Sequence, residues 1–253
     1  MADIKARPVA LVTGASYGIG AAAAIGLAED GFDVAVTDLR VADLVDTVGG
    51  IAAADARGVA IALDIRSQDS IERAFGVAIE ALGTIDVLVN NAGVPSLGKS
   101  AVDVTRAEWD AIIAVNLTGT FFMAQHMGRY LIGARRPGAI IGVASTHGLV
   151  GLSGASAYGI AKAGIIHMAR TLAIEWAEHG IRVNAVAPGT TETKTRALRL
   201  SSPDYRKHML GRIPAGRFGT AEEMAGAIRY LASPQAAYVT GQTLVLDGGL
   251  TAG

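Results

Sequence analysis

The 253-residue sequence has no cysteine, and its five histidines (His126, His147, His167, His179 and His208) show no two-ligand helical spacing with a carboxylate as third ligand. Disulfides, thiolate metal sites and a cysteine nucleophile are excluded, and no catalytic metal is expected. Charge of one sign is also scarce: 22 Lys and Arg stand against 23 Asp and Glu, a formal net charge of −1. Neither the basic excess nor the zinc-finger spacing that would point to a nucleic-acid partner is present. No window holds the roughly eighteen unbroken apolar residues of a membrane span. The opening stretch Met1 to Pro8 is polar, so no secretory signal is expected and a cytoplasmic location follows as the expectation.

What is present is small and apolar. Short β-branched runs at Val9 to Thr13, Asp33 to Asp38, Val59 to Leu63, Ile85 to Asn90, Ala139 to Val143, Ile181 to Ala187 and Thr243 to Leu246 alternate with Ala-rich segments of helix length. Runs rich in β-branched residues suit buried parallel strands, and helix-length spacers suit parallel crossovers. The pattern predicts an α/β fold with a doubly wound, seven-stranded parallel sheet and helices on both faces. The length fits a single domain spanning 1–253, with one long irregular stretch after Pro188, about 190–218, of the kind that serves as a substrate lid.

Directly after the first strand comes Thr13-Gly14-Ala15-Ser16-Tyr17-Gly18-Ile19-Gly20, followed by a helical Ala-rich run. Gly14, Gly18 and Gly20 allow a sharp turn and close backbone approach to a pyrophosphate; with Ser16, Tyr17 and Ile19 they form the predicted phosphate cradle at a helix N-terminus. Tight turns use glycine everywhere, so it is the placement between strand and helix that points to a dinucleotide. Asp38 ends the second strand, 24 residues after Gly14, where a carboxylate can accept from the adenosine ribose hydroxyls and repel a 2′-phosphate. The alternative is that it starts the Asp38-Leu39-Arg40 turn, and Arg40 nearby could accommodate a phosphate. NAD is expected ahead of NADP. Asp64, beside Ile65 at the end of the third strand, is placed either to hold the adenine amino group or to cap the helix opening near Ser67.

Tyr158 and Lys162 are four apart in a segment, Ser156 to Glu178, whose apolar spacing reads as a long helix, so they stand one turn apart on one face. A tyrosine titrates near ~10 when unperturbed, and a cation within about 4–6 Å favours the phenolate. Alone, such a pair is more often a solvated helix face. Together with the other motifs it carries a resemblance: Thr13 to Gly20, Asn90-Asn91-Ala92-Gly93, Asn116 within Val115 to Gly119, Ser145 thirteen residues before Tyr158, Pro188-Gly189 and Asp247-Gly248-Gly249. The chain resembles the short-chain dehydrogenase/reductase family in its one-domain form, over nearly its whole length.

The resemblance implies that Tyr158 is the general acid/base, that Ser145 orients the substrate oxygen, that Lys162 binds the nicotinamide ribose and depresses the tyrosine pKa, and that Asn116 holds a relay water. It further implies that Asn90, Ala92 and Gly93 pass behind the adenosine ribose and that Pro188, Gly189, Thr191 and Thr193 receive the nicotinamide carboxamide. A homotetramer is implied, with twofold interfaces on the two longest helices and near Gly241 to Gly249. The expected reaction is hydride transfer between NAD and a secondary alcohol or ketone: a polyol, a sugar or another small hydroxy compound. A 3-oxoacyl-[acyl-carrier-protein] reductase and a non-catalytic dinucleotide sensor are the alternatives. His147, two residues past Ser145, is either a pocket-lining group or a satisfied loop residue. The stretch Glu192 to Arg217 holds seven basic residues (Lys194, Arg196, Arg199, Arg206, Lys207, Arg212 and Arg217) against Glu192 and Asp204, a field that suits either an anionic substrate or a solvated lid.

Overall fold

In the computed structural model, residues 7–193 and 201–252 are described. Seven parallel strands, β1 (Val9–Thr13), β2 (Asp33–Asp38), β3 (Gly58–Ala62), β4 (Val87–Asn90), β5 (Gly138–Val143), β6 (Ile181–Pro188) and β7 (Thr243–Leu246), form one sheet in the order β3-β2-β1-β4-β5-β6-β7. The doubly wound sheet expected from the sequence is what the chain forms. The bounds of β1, β2 and β7 are those read from the sequence, and the other strand ends differ by one or two residues; the difference that matters is at β3, which stops at Ala62 and leaves Asp64 in the following loop.

Each strand sends alternate residues to opposite faces. Val9 and Leu11 of β1, Leu88 of β4 and Ile140 of β5 enter one core under α3 (Gln68–Leu82), α5 (Thr120–Ala134) and α6 (Ser156–Trp176). Ala10 and Val12, Val87 and Val89, Ile141 and Val143 enter the other, under α1 (Gly18–Glu29), α2 (Val45–Ala53) and the helix Ala221–Ala232. With both faces covered, the strands have no polar face to show, which is why their sequence lacks alternation. Helix ends follow local chemistry: the Ser67 hydroxyl caps α3, and Thr105 with Glu108 forms a capping box on α4 (Arg106–Ile113). A π-helical segment, Ala114–Gly119, joins α4 to α5.

From β1 the chain winds outward to β2, whereas from β4 it winds the other way to β5, so the carboxyl ends of β1 and β4 open a crevice between diverging connections. One side chain at the end of each strand, Thr13 of β1 and Asn91 just after β4, locks its mouth. The Thr13 hydroxyl accepts from the backbone N–H of Asn91 and of Ala92, both at 3.0 Å. The Asn91 amide donates to the carbonyls of Thr13 (3.0 Å) and Gly14 (2.8 Å). Replacing Thr13 with valine keeps the shape and removes the acceptor from two N–H groups. Urea unfolding is expected to show a loss of about 1–3 kcal/mol, and an unchanged midpoint would refute this reading of the lock.

Candidate active site

The nucleotide side of the crevice is built from the loop between β1 and α1. Tyr17 is the N-cap residue of α1, in extended conformation and without a side-chain cap bond, and no acidic residue sits in the first turn. The first-turn N–H groups and the positive helix end are thus directed at whatever occupies the crevice. Gly18 has φ +63°, and a Cβ there would come within 3.4 Å of Thr193, so the glycine keeps open a gap that any side chain would narrow. Ile19 and Gly20 continue into the helix.

Asp38 is tied to this loop. One carboxylate oxygen accepts from the Ser16 hydroxyl (2.5 Å) and backbone N–H (3.3 Å), and the other from the Leu39 N–H (2.8 Å). Arg40 is held by both oxygens of Asp43, at 2.9 and 2.7 Å, a partner that raises its pKa further. Asp64 is gripped by the Arg66 guanidinium at 2.6–3.1 Å, which lowers the carboxyl's pKa. The cap of α3 is Ser67, so the capping alternative for Asp64 fails. Ile65 is buried beneath Gly119 of the π segment.

Of the Asn90-Asn91 pair, it is Asn91 that reaches the glycine loop, a role the sequence reading did not give it. Two amides at the end of a strand beside a glycine turn are the available signal, since alternation turns them to opposite faces. Asn90 turns to the helical side, donating to Thr120 O at 3.1 Å, while its Oδ1 is buried without a hydrogen-bond partner. On the far side of the crevice Gly189 N donates to Leu246 O (2.8 Å), following Pro188 at the end of β6. The buried Thr191 bridges to Gly219, and its hydroxyl bends back to Gly189 O at 3.3 Å.

The reacting side gathers the four residues that sequence reading singled out. Ser145 follows β5, buried, its Oγ accepting from His147 N (3.2 Å) and sharing a hydrogen bond with His147 Nδ1 (3.1 Å). The His147 ring stands edge-on to Tyr158, centroids 5.6 Å apart at 89°. One helical turn past Tyr158, the Lys162 ammonium lies 5.6 Å from the phenol ring centroid and donates to Val143 O at 2.7 Å. Burial pushes its pKa down to about 8. Asn116, fully buried in the π segment, exchanges two hydrogen bonds with the Val94 backbone (2.9 and 3.0 Å). Gly93 fits between: a Cβ there would lie 2.6 Å from Asn116 Oδ1 and 3.7 Å from Lys162 Nζ. Asn116, Lys162, Tyr158, His147 and Ser145 form a continuous set around the strand ends.

Part of the basic stretch is neutralised. Arg206 pairs with Glu192 (3.2 Å) and lies over the Phe218 ring, and Arg217 pairs with Glu223 at 2.6 Å. Lys194, Arg196 and Arg199 lie outside the described residues. The helix α7 (Pro203–Leu210) packs through Met209 on Ile213 and Phe218, with Leu250 against them.

A sequence profile described as enoyl-(acyl carrier protein) reductase matches residues 14–251. The chain belongs to the short-chain dehydrogenase/reductase family. It is 40% identical to cis-4-hydroxycyclohexanecarboxylate dehydrogenase of Sinomonas cyclohexanicum over the full length of both. It is also 40% identical to the 3-oxoacyl-[acyl-carrier-protein] reductase of Thermotoga maritima, covering 96% of this chain and 97% of that one. A crystal structure from Agrobacterium tumefaciens, described as a 2-deoxy-D-gluconate 3-dehydrogenase with NADP bound, superposes with a TM-score of 0.90 at 36% identity, covering 97% of each chain. The family is one of nicotinamide-dinucleotide oxidoreductases; the uncapped α1 terminus and the gap at Gly18 fit the phosphates of such a cofactor. Among the described residues no helix is long and apolar enough to cross a membrane.

The buried ammonium has a measurable cost. The unfolded lysine keeps its proton to about 10.4, whereas the folded one loses it near 8. Between these values the unfolded state binds more protons, so stability rises with pH; below about 8 the whole penalty is present. Lys162→Met removes this titration and also takes the donor from Val143 O, so the expected signature is in the slope: between pH 7 and pH 10 the parent should gain roughly 1–3 kcal/mol of stability relative to the variant. Urea unfolding of both proteins at the two pH values checks it, and a parent that loses stability relative to Lys162→Met as pH rises would contradict the assignment.

Proposed function

We propose that the protein is an NAD-dependent dehydrogenase of small secondary alcohols, working in one domain with 190–218 as a substrate lid. The observation that carries this is the buried Lys162 ammonium one turn from the Tyr158 phenol, with Ser145 beside them. The bound dinucleotide supplies the redox step, accepting or donating a hydride at the nicotinamide. Ser145 holds the substrate oxygen. Tyr158 takes the hydroxyl proton in oxidation and returns it in reduction, and the nearby cation stabilises the phenolate that this requires. Lys162 also meets the nicotinamide ribose, and Asn116, fixed by Val94, holds the water that passes protons onward. Gly14 to Gly20 cradle the pyrophosphate; Asp64, Ile65, Asn90, Ala92 and Gly93 flank the adenosine half; Pro188, Gly189, Thr191 and Thr193 receive the carboxamide.

NAD is favoured because a 2′-phosphate would meet the Asp38 carboxylate, while the nearest guanidinium, Arg40, is engaged by Asp43. The NADP-bound relative gives the opposite preference its weight, and the T. maritima relative supports a 3-oxoacyl-[acyl-carrier-protein] reductase as the second reading. Retention of Ser145, Tyr158, Lys162 and Asn116 argues against a non-catalytic sensor. For the substrate body, polyols and sugars were the sequence-based expectation. The loops after β4 and β5 instead carry the partly exposed Leu97, Leu149, Val150 and Leu152 (39–43%), tied together by Ser96 and Gly98 on Gly154 O. A hydrocarbon skeleton suits such a rim better than a chain of hydroxyls, each of which needs a partner. The chain is proposed to act in the cytoplasm as a homotetramer, with the apolar groove of Leu117, Phe121, Leu172 and Trp176 along α5 and α6 as one contact.

Initial rates should favour NADH over NADPH, and Asp38→Ala should narrow that ratio at least tenfold; a parent enzyme faster with NADPH removes the NAD assignment. Tyr158→Phe should lower turnover by about 10²–10⁴-fold with NADH affinity, followed by fluorescence titration, changed less than threefold. A panel of cyclic alcohols, polyols and hydroxy acids followed at the NADH absorbance identifies the substrate class, with higher kcat/KM expected for the cyclic alcohols.

A further inference from the structure

The Ser145 hydroxyl has one hydrogen and two lone pairs. One lone pair is taken by the N–H of His147 at 3.2 Å, and the His147 ring meets the same oxygen through Nδ1 at 3.1 Å. The segment bearing this ring is seated closely on α6. A Cβ on Gly159 would come within 2.9 Å of His147 O, and one on Gly148 within 2.6 Å of the Lys162 backbone, so neither glycine can be enlarged without shifting the His147–Gly148 backbone against α6. The ring also lies edge-on to Tyr158, a geometry that aromatic rings favour. Ser145 and Tyr158, the two groups expected to meet the substrate oxygen, are thereby joined through one side chain.

We infer that His147 is a positioning residue that turns the Ser145 hydrogen toward the substrate oxygen by donating from Nδ1 to Oγ. The inference rests on the dehydrogenase reading. The alcohol's own hydrogen goes to Tyr158, so Ser145 has to donate to the substrate oxygen in oxidation and in reduction alike. An imidazole with its hydrogen on Nε2 would present a bare Nδ1 and take the serine hydrogen for itself. With the hydrogen on Nδ1, the ring and the backbone N–H of His147 both donate to Oγ, and the serine hydrogen is left for the substrate oxygen. A ring edge against Tyr158 keeps the phenol from turning away.

Three variants separate the hydrogen bond from the ring packing. His147→Phe keeps an aromatic edge on Tyr158 but has no group for Ser145. His147→Asn offers an amide near the Nδ1 position that can donate or accept, and His147→Ala offers neither. Oxidation and reduction rates should fall about 10–100-fold in kcat for the Phe and Ala variants, with KM changed less than about threefold, and the Asn variant should recover to within about fivefold of the parent. A Phe variant as fast as the parent in both directions, or an Asn variant as slow as Phe with a parent-like unfolding midpoint, overturns the inference. A second readout is independent of turnover: the ¹⁵N resonance of His147 Nδ1, assigned in the full-length protein, should move on Ser145→Ala, and an unmoved resonance also overturns it. A parent protein that oxidises no alcohol and reduces no ketone, yet shows this resonance shift, would put the failure in the dehydrogenase reading and leave the Ser145–His147 link standing.

Discussion

The hydrogen bond from the Lys162 ammonium to the carbonyl of Val143 is the constraint on which the site is built. It crosses from the first turns of the longest helix to the last residue of a central strand and fixes how α6 stands over the end of β5. The phenol one turn earlier on α6 inherits that placement, with its ring centroid 5.6 Å from the ammonium, and Gly93 leaves the space between Asn116 and the ammonium open. A cation is a costly group to bury, and burial lowers its affinity for its proton. The cost is tolerated because the strand supplies an acceptor at the depth where the side chain ends.

The sheet provides the second half of the arrangement. Strands that run in one direction deliver their carboxyl ends to one rim, and the reversal of winding between β1 and β4 splits the connections apart there. Thr13 and Asn91 keep the two strand ends in register at the split. The glycine loop is held from below by Asn91 and from the side by Ser16 on Asp38, so its shape is set before any ligand arrives.

Much of this was legible in the sequence because the signals are local or strictly spaced. Seven apolar runs separated by helix-length segments specify a parallel sheet, and the strand ends were misplaced by a residue or two where glycine and alanine blur the edge, as at Gly58 and Leu63. The spacing of Ser145, Tyr158 and Lys162 located the reacting side. What was not legible depends on which neighbour a side chain meets. Asp64 was placed at a strand end, and its pairing with Arg66 two residues on follows only once β3 is seen to stop at Ala62. The sequence does not distinguish Asn91 from Asn90, since alternation assigns two faces without saying which one holds the loop. The basic stretch read as a strong positive field, but Arg206 and Arg217 each face a carboxylate, one of them from beyond the stretch.

The bond between Ser16 and Asp38 makes two design variables into one. The carboxylate that would read the adenosine ribose also braces the turn that would hold the phosphates, so a neutral or cationic residue at position 38 releases the Ser16 hydroxyl and loosens the loop at the same time. Exchange of cofactor preference in this protein is therefore a matter of coupled substitutions at positions 16 and 38, and a single change at either will trade binding strength for selectivity.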